Sequence, residues 1–165
     1  MQLISPQQLA AETSPEDLLY ALMDVYLDFI EQHGDTALER FNDEQHTLLA
    51  YCYLDSQVQE GGFVQLIAAG YGDYIFANPV ADSLRRWRIK PTPKIIEQAA
   101  ALYAKYGTKI EALAEEGNSV EVIRELVNDF EELDAEYYEV AEEDMATAAE
   151  YVRGAMTKFT DVANA

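Results

Sequence analysis

From Asp129 to Glu150 the chain carries ten acidic residues and no Lys or Arg, yet its apolar residues keep a helical step. Leu133, Tyr137, Val140, Met145, Ala149 and Val152 recur every three to five residues. That spacing suits one buried face with the acids outside it. A strand would need strict alternation, which no part of the chain shows convincingly. The stretch therefore predicts an amphipathic helix, either continuous or bent between Glu139 and Asp144.

The same period runs through the rest of the chain. Ser14-Pro15-Glu16-Asp17 reads as a helix start, with Ser as N-cap, Pro at the first helical position and an acid at the third. Leu18, Leu22, Val25, Tyr26 and Phe29 follow, and Gly34 can end that helix. Asn42 can cap a second helix carrying Leu48, Leu49, Cys52, Tyr53 and Val58, with Gly61-Gly62 closing it. A short apolar piece runs from Phe63 to Ala69. Asn78-Pro79 starts another that ends near Trp87. Pro91-Thr92-Pro93 doubles as a break and a cap for Lys94 to Tyr106. Gly107 and Gly117 bracket a further piece, and Asn118 or Ser119 caps the one before the acidic stretch. The expected fold class is all-α, a single compact multi-helix domain over residues 1–165. With 165 residues, 49% of them hydrophobic and eleven Tyr, six Phe and one Trp among them, the chain can bury a substantial core.

Charge is unevenly placed along the chain. Residues 1–60 hold twelve acids and one base, Arg40. Residues 61–110 hold three acids and seven bases, and residues 111–165 hold sixteen acids and three bases. The net charge is −20. Such a field repels nucleic acid and anionic lipid and attracts basic surfaces, so direct nucleic-acid binding is not expected. In helical geometry the 22 residues of the base-free run span about 33 Å, or roughly one carboxylate per 3.3 Å, near the ~3.4 Å phosphate repeat of one DNA strand. Most charge runs are simply solvated faces. This one lacks the i, i+4 Lys partners of an ordinary surface helix. The basic middle, with Arg85, Arg86, Arg88, Lys90 and Lys94 around Trp87, is expected to pair with the acidic blocks, within the chain or across a dimer.

Catalytic and metal signatures are sparse. His33 and His46 are the two histidines, and Asp43-Glu44-Gln45-His46 supplies half of a carboxylate metal unit without its second half. Asp134 to Met145 has Glu139 where a calcium loop needs Gly and Met145 where it needs Glu. Cys52 lies on an apolar helical face and reads as a small buried hydrophobe. No Gly-x-Ser-x-Gly and no P-loop occurs. The expectation is a protein that is not an enzyme and takes no cofactor. A carboxylate metal enzyme is the least favoured alternative. The N-terminus has no basic start or long apolar run, and no stretch approaches ~18 uninterrupted apolar residues, so a soluble, cytoplasmic protein with no membrane partner is expected.

One segment is recognisable. Tyr53-Leu54-Asp55-Ser56-Gln57-Val58-Gln59-Glu60-Gly61-Gly62-Phe63-Val64-Gln65-Leu66 resembles the signature of a bacterial family of helical domains, with Glu60 in place of the usual Asn. Phe130 to Tyr138 and Tyr151-Val152-Arg153 resemble that family's C-terminal pattern, so the likeness covers roughly residues 18 to 155. Within the family, length, mass and acidity resemble those of its small acidic DNA mimics. The resemblance implies a homodimer that binds a helix-turn-helix transcription factor and keeps it off its operator. A generic interaction or immunity-type protein that neutralises a basic partner is the alternative. The expected contact residues are Glu131, Glu132, Asp134, Glu136, Glu139, Glu142, Glu143 and Asp144. The N-terminal acids Asp24, Asp28, Glu31 and Asp35 are the second choice for the contact set. The Gly-Gly turn reads as structural, with positive φ open to glycine and Phe63 anchored in the core.

Overall fold

Side-chain caps set several of the helix starts. A computed structural model describes residues Met1–Ala165. Ser5 and Gln8 form a capping box on α1 (Pro6–Ala10). The Ser14 hydroxyl accepts from the Asp17 N–H at 3.0 Å and opens α2 (Pro15–His33). Gly34, at φ 66°, ends α2 and leads through a 3₁₀ turn (Gly34–Thr36) into α3 (Ala37–Arg40). Asn42 and Gln45 form a second capping box on α4 (Asp43–Ala68). The chain continues through α5 (Gly72–Phe76), α6 (Val80–Arg86), α7 (Pro91–Glu115), α8 (Val120–Leu126), α9 (Glu131–Gly154) and α10 (Thr157–Thr160). Ser119 caps α8. The fold is all-α; its one β-type pairing is an isolated bridge between Gln2 and Asp161 that ties the two chain ends together.

The Gly61-Gly62 break falls where expected: both residues leave helical geometry, Gly62 at φ 77°, and α4 is two helical segments joined across this kink, the second starting at Phe63. One glycine reading needs correction. Gly107 does not bracket a separate piece. It lies buried inside α7 with the Tyr103 ring one turn earlier lying where a Cβ would go, so its smallness serves packing. The acidic stretch resolves as one continuous helix, with a short break at residues 127–130 before it.

A single core of 41 buried residues draws on α1, α2, α3 and each of the helices from α4 to α10. Its largest fully buried side chains include Trp87, Tyr26, Tyr51, Tyr137, Phe63, Phe130 and Phe159. Each such burial contributes on the order of 2–3 kcal/mol from apolar area alone. α4 is central, packing on α2, α5, α6, α7, α8, α9 and α10, while α9 lies against α2, α4 and α7. The helices that bear the two acidic blocks, α2 and α9, are thus direct neighbours.

Candidate partner-binding surface

The acids of α9 divide by direction. At about 100° per residue, Glu131, Glu132, Glu136, Glu139, Glu142, Glu143 and Glu150 fall within an arc of about 140°. All seven are exposed. Leu133, Tyr137, Ala141, Met145, Ala148 and Val152 fill the opposite side and are buried. The bases of the three salt bridges are Arg85 and Arg86, and no base forms a salt bridge with an α9 carboxylate. Repulsion between like charges a turn apart costs a few tenths of a kcal/mol per pair. The acids of the first turn, Glu131 and Glu132, recover part of this from the helix dipole.

Asp134 and Asp144 do not belong to that outward face. They are 3% and 4% exposed, on the buried side of α9, and cannot meet a partner. Asp134 Oδ1 accepts the Phe63 N–H at 2.8 Å, closing the Gly61-Gly62 kink. An added Cβ on Gly62 would collide with this carboxylate, so the kink and the acid are fitted to each other. Asp144 Oδ2 accepts both the N–H (3.0 Å) and the hydroxyl (2.5 Å) of Thr92, capping the first turn of α7. Burial raises both carboxyls above the ordinary aspartate value. The Phe63 N–H and the Arg124 charge oppose this at Asp134, and Thr92 opposes it at Asp144. Without the inward pair, seven outward carboxylates span about 29 Å, one per about 4 Å; the six from Glu131 to Glu143 are denser, one per about 3 Å.

Asp24, Asp28 and Glu31 lie on one exposed stripe of α2, and Asp35 follows in the exposed 3₁₀ turn. The inward stripe, Leu18, Leu19, Leu22, Met23, Tyr26 and Phe29, seats α2 in the core. Asp55 of α4 joins α2 to α9. It is 5% exposed and accepts from the Tyr20 and Tyr137 hydroxyls, each at 2.6 Å. Burial pushes both tyrosines well above their usual range, so they stay donors to Asp55. The signal for Asp55 was present: it sits three residues after Cys52 and three before Val58 on the buried face of α4. Beside it a groove of about 470 Å³ runs between the start of α2 and the middle of α9, with Glu16 and Glu142 along it.

The basic middle pairs partly as expected. Arg86 lies 3.6 Å from Glu44, which also accepts the Trp87 indole N–H at 3.1 Å. Arg85 pairs with Asp82 (3.2 Å) and with Glu97, inside its own segment. Arg88, Lys90 and Lys94 are exposed and form no salt bridge. Arg88 holds φ 71° in the turn after α6, where its N–H bonds Arg85 O and the Ile89 N–H bonds Leu84 O, a position ordinarily taken by glycine. Asp43 and His46 line a cavity of about 360 Å³, but nowhere do three His, Cys, Asp or Glu side chains gather closely enough to hold a metal. Cys52 is fully buried, its thiol directed at Leu19 O (3.7 Å) and pushed up in pKa by burial. No helix is long and apolar enough to cross a membrane.

An all-helical domain with an uncompensated acidic face matches a defined class. Residues 39–155 match the model of the DMP19-like protein family, and the chain belongs to that family. A relative from Neisseria meningitidis serogroup B, the DNA mimic protein DMP19, is 50% identical over 154 residues, covering 93% of each chain.

Proposed function

We propose that this protein is a DNA mimic that binds a helix-turn-helix transcription factor and blocks its access to DNA. The observation that carries this reading is the outward face of α9. Six exposed carboxylates from Glu131 to Glu143 follow one rigid helix at about 3 Å of axis each, close to the ~3.4 Å phosphate step of a DNA strand. A helix holds them at fixed spacing, so a partner's Arg and Lys side chains meet an array already in place. The α2 stripe of Asp24, Asp28 and Glu31, with Asp35 in the turn after it, extends the negative field that steers a basic surface toward it. The kinship with a protein named as a DNA mimic supports the same reading. In this account the protein acts as a homodimer in the cytoplasm, matching the two-fold symmetry common in helix-turn-helix factors.

The test is to reverse four outward charges, E132K/E136K/E139K/E143K. Capture of DNA-binding proteins from a lysate of the source cell should be lost, with helical circular dichroism unchanged. Unchanged capture would move the contact surface elsewhere on the molecule. Capture of only non-DNA-binding basic proteins by the unaltered chain would favour a generic neutralising role.

A further inference from the structure

We propose that the cavity between the start of α4 and the α5–α6 turn binds a small zwitterion, a free α-amino acid with a short aliphatic side chain. Nothing in this inference rests on the DNA-mimic reading. At about 360 Å³ the cavity sits at the small end of ligand pockets (~300–1,000 Å³), a size for a metabolite and not for a peptide or nucleic acid. Asp43, His46 and Ala50 bring one face of α4 to it, Tyr74 comes from α5, and Ser83 and Arg86 come from α6. Two hydroxyls of these walls lack partners. Ser83 is 6% exposed, yet its hydroxyl makes no hydrogen bond within the protein. The Tyr74 hydroxyl is buried and has no hydrogen-bond partner. Burial pushes its pKa up to about 12, so it keeps its proton and stays a donor. Buried polar groups are nearly always paired, so each of these hydroxyls needs an acceptor from outside the chain.

Water can satisfy a lone hydroxyl, but the same walls also carry two uncommitted charges. The one charged contact of Arg86 is to Glu44 at 3.6 Å, too long for a hydrogen bond, so its guanidinium donors remain free. Asp43 forms no salt bridge. The cavity therefore offers donors to an anionic group, in Arg86, Ser83 and Tyr74, and an acceptor to a cationic one, in Asp43. A simple anion would leave Asp43 unmatched and would enter against the field of a chain with net charge −20. A simple cation would leave Arg86 and both hydroxyls unmatched. A metal ion is excluded by the ligand count, since no three His, Cys, Asp or Glu side chains gather here. A zwitterion is neutral overall and matches both charges. Ala50 and Val80, 3% and 4% exposed, add an apolar wall for a short aliphatic side chain.

The probe is L-leucine, with two relatives that share its body: isocaproate, which lacks the ammonium, and isoamylamine, which lacks the carboxylate. The chain has two histidines, of which His46 lines the cavity and His33 does not, so the His46 ring protons give a local reporter, assigned with H33Q. Millimolar leucine should shift the His46 signal saturably, and each relative should bind at least about tenfold more weakly. Y74F/S83A removes the two unpaired hydroxyls, so urea unfolding should be unchanged or slightly more stable, while leucine affinity should fall at least about tenfold. A merely structural role for these hydroxyls would leave leucine affinity unmoved. D43N should bring leucine down to the affinity of isocaproate. An unmoved His46 signal, equal binding of isocaproate or isoamylamine to the unaltered protein, or unchanged leucine affinity in Y74F/S83A would overturn the assignment.

Discussion

The two sides of α9 carry the same chemistry to opposite ends. On the outward side, Glu131, Glu132, Glu136, Glu139, Glu142 and Glu143 stand in solvent without bases. On the inward side, Asp134 and Asp144 hold backbone and hydroxyl donors of residues far away in sequence, Phe63 and Thr92. The outward acids cost a little stability through repulsion and are available to a partner. The inward acids are unavailable to any partner and hold α4 and α7 to α9. Net charge alone would have treated all of them as one surface. The difference also separates side-chain types, since the inward pair are both Asp and the outward set is all Glu. A short side chain suits a fixed hydrogen bond to backbone, and a long one suits reach into solvent.

The contrast can be broken most severely at the kink. Gly62→Ala combines positive φ with a collision against Asp134 and should cost at least about 3 kcal/mol in urea unfolding. Asp144→Ala strips the acceptor from both Thr92 donors and should cost about 3 kcal/mol; Asp134→Ala, which orphans one buried N–H, should cost about 2 kcal/mol. A smaller effect comes from pH. The inward carboxyls have native pKa values raised above the unfolded value. Between the ordinary and raised values the native state therefore binds more protons than the unfolded chain, so this contribution makes stability rise as pH falls through that window and lowest above it. The urea midpoint should rise as pH is lowered from neutrality toward the ordinary aspartate value, and D134N/D144N should lose part of that rise. The smallest effect on stability belongs to the outward side. E132Q/E136Q/E139Q/E143Q should leave unfolding within about 0.5 kcal/mol of the unaltered protein, or raise it slightly by relieving repulsion.

Much of this division was legible in the sequence, and some was not. The caps at Ser14, Asn42 and Ser119 are local chemistry, and each sits where its side chain predicts. The inward turn of Asp134 and Asp144 was readable too, since Asp134 falls three residues before Tyr137 and seven before Ala141, and Asp144 three after Ala141 and four before Ala148, on the buried arc. Counting acids along the axis hid it, because axial density ignores direction. The Gly107 misreading is of another kind. Gly107 yields space to Tyr103, and what closes the kink at Gly62 is Asp134, 72 positions along. Both depend on contacts that no local pattern encodes. Glu16 and Glu142 likewise line one groove only because α2 packs on α9.

The central claim is that the outward face of α9 substitutes for a DNA backbone. The most direct measurement is displacement of labelled operator from a helix-turn-helix factor as this protein is added. The account predicts full release near stoichiometric protein at about 50 mM salt, weakened at least about tenfold by about 200 mM salt, and abolished in E132K/E136K/E139K/E143K. Operator that stays bound under excess protein at low salt, or an equal release by the charge-reversed variant, would contradict it.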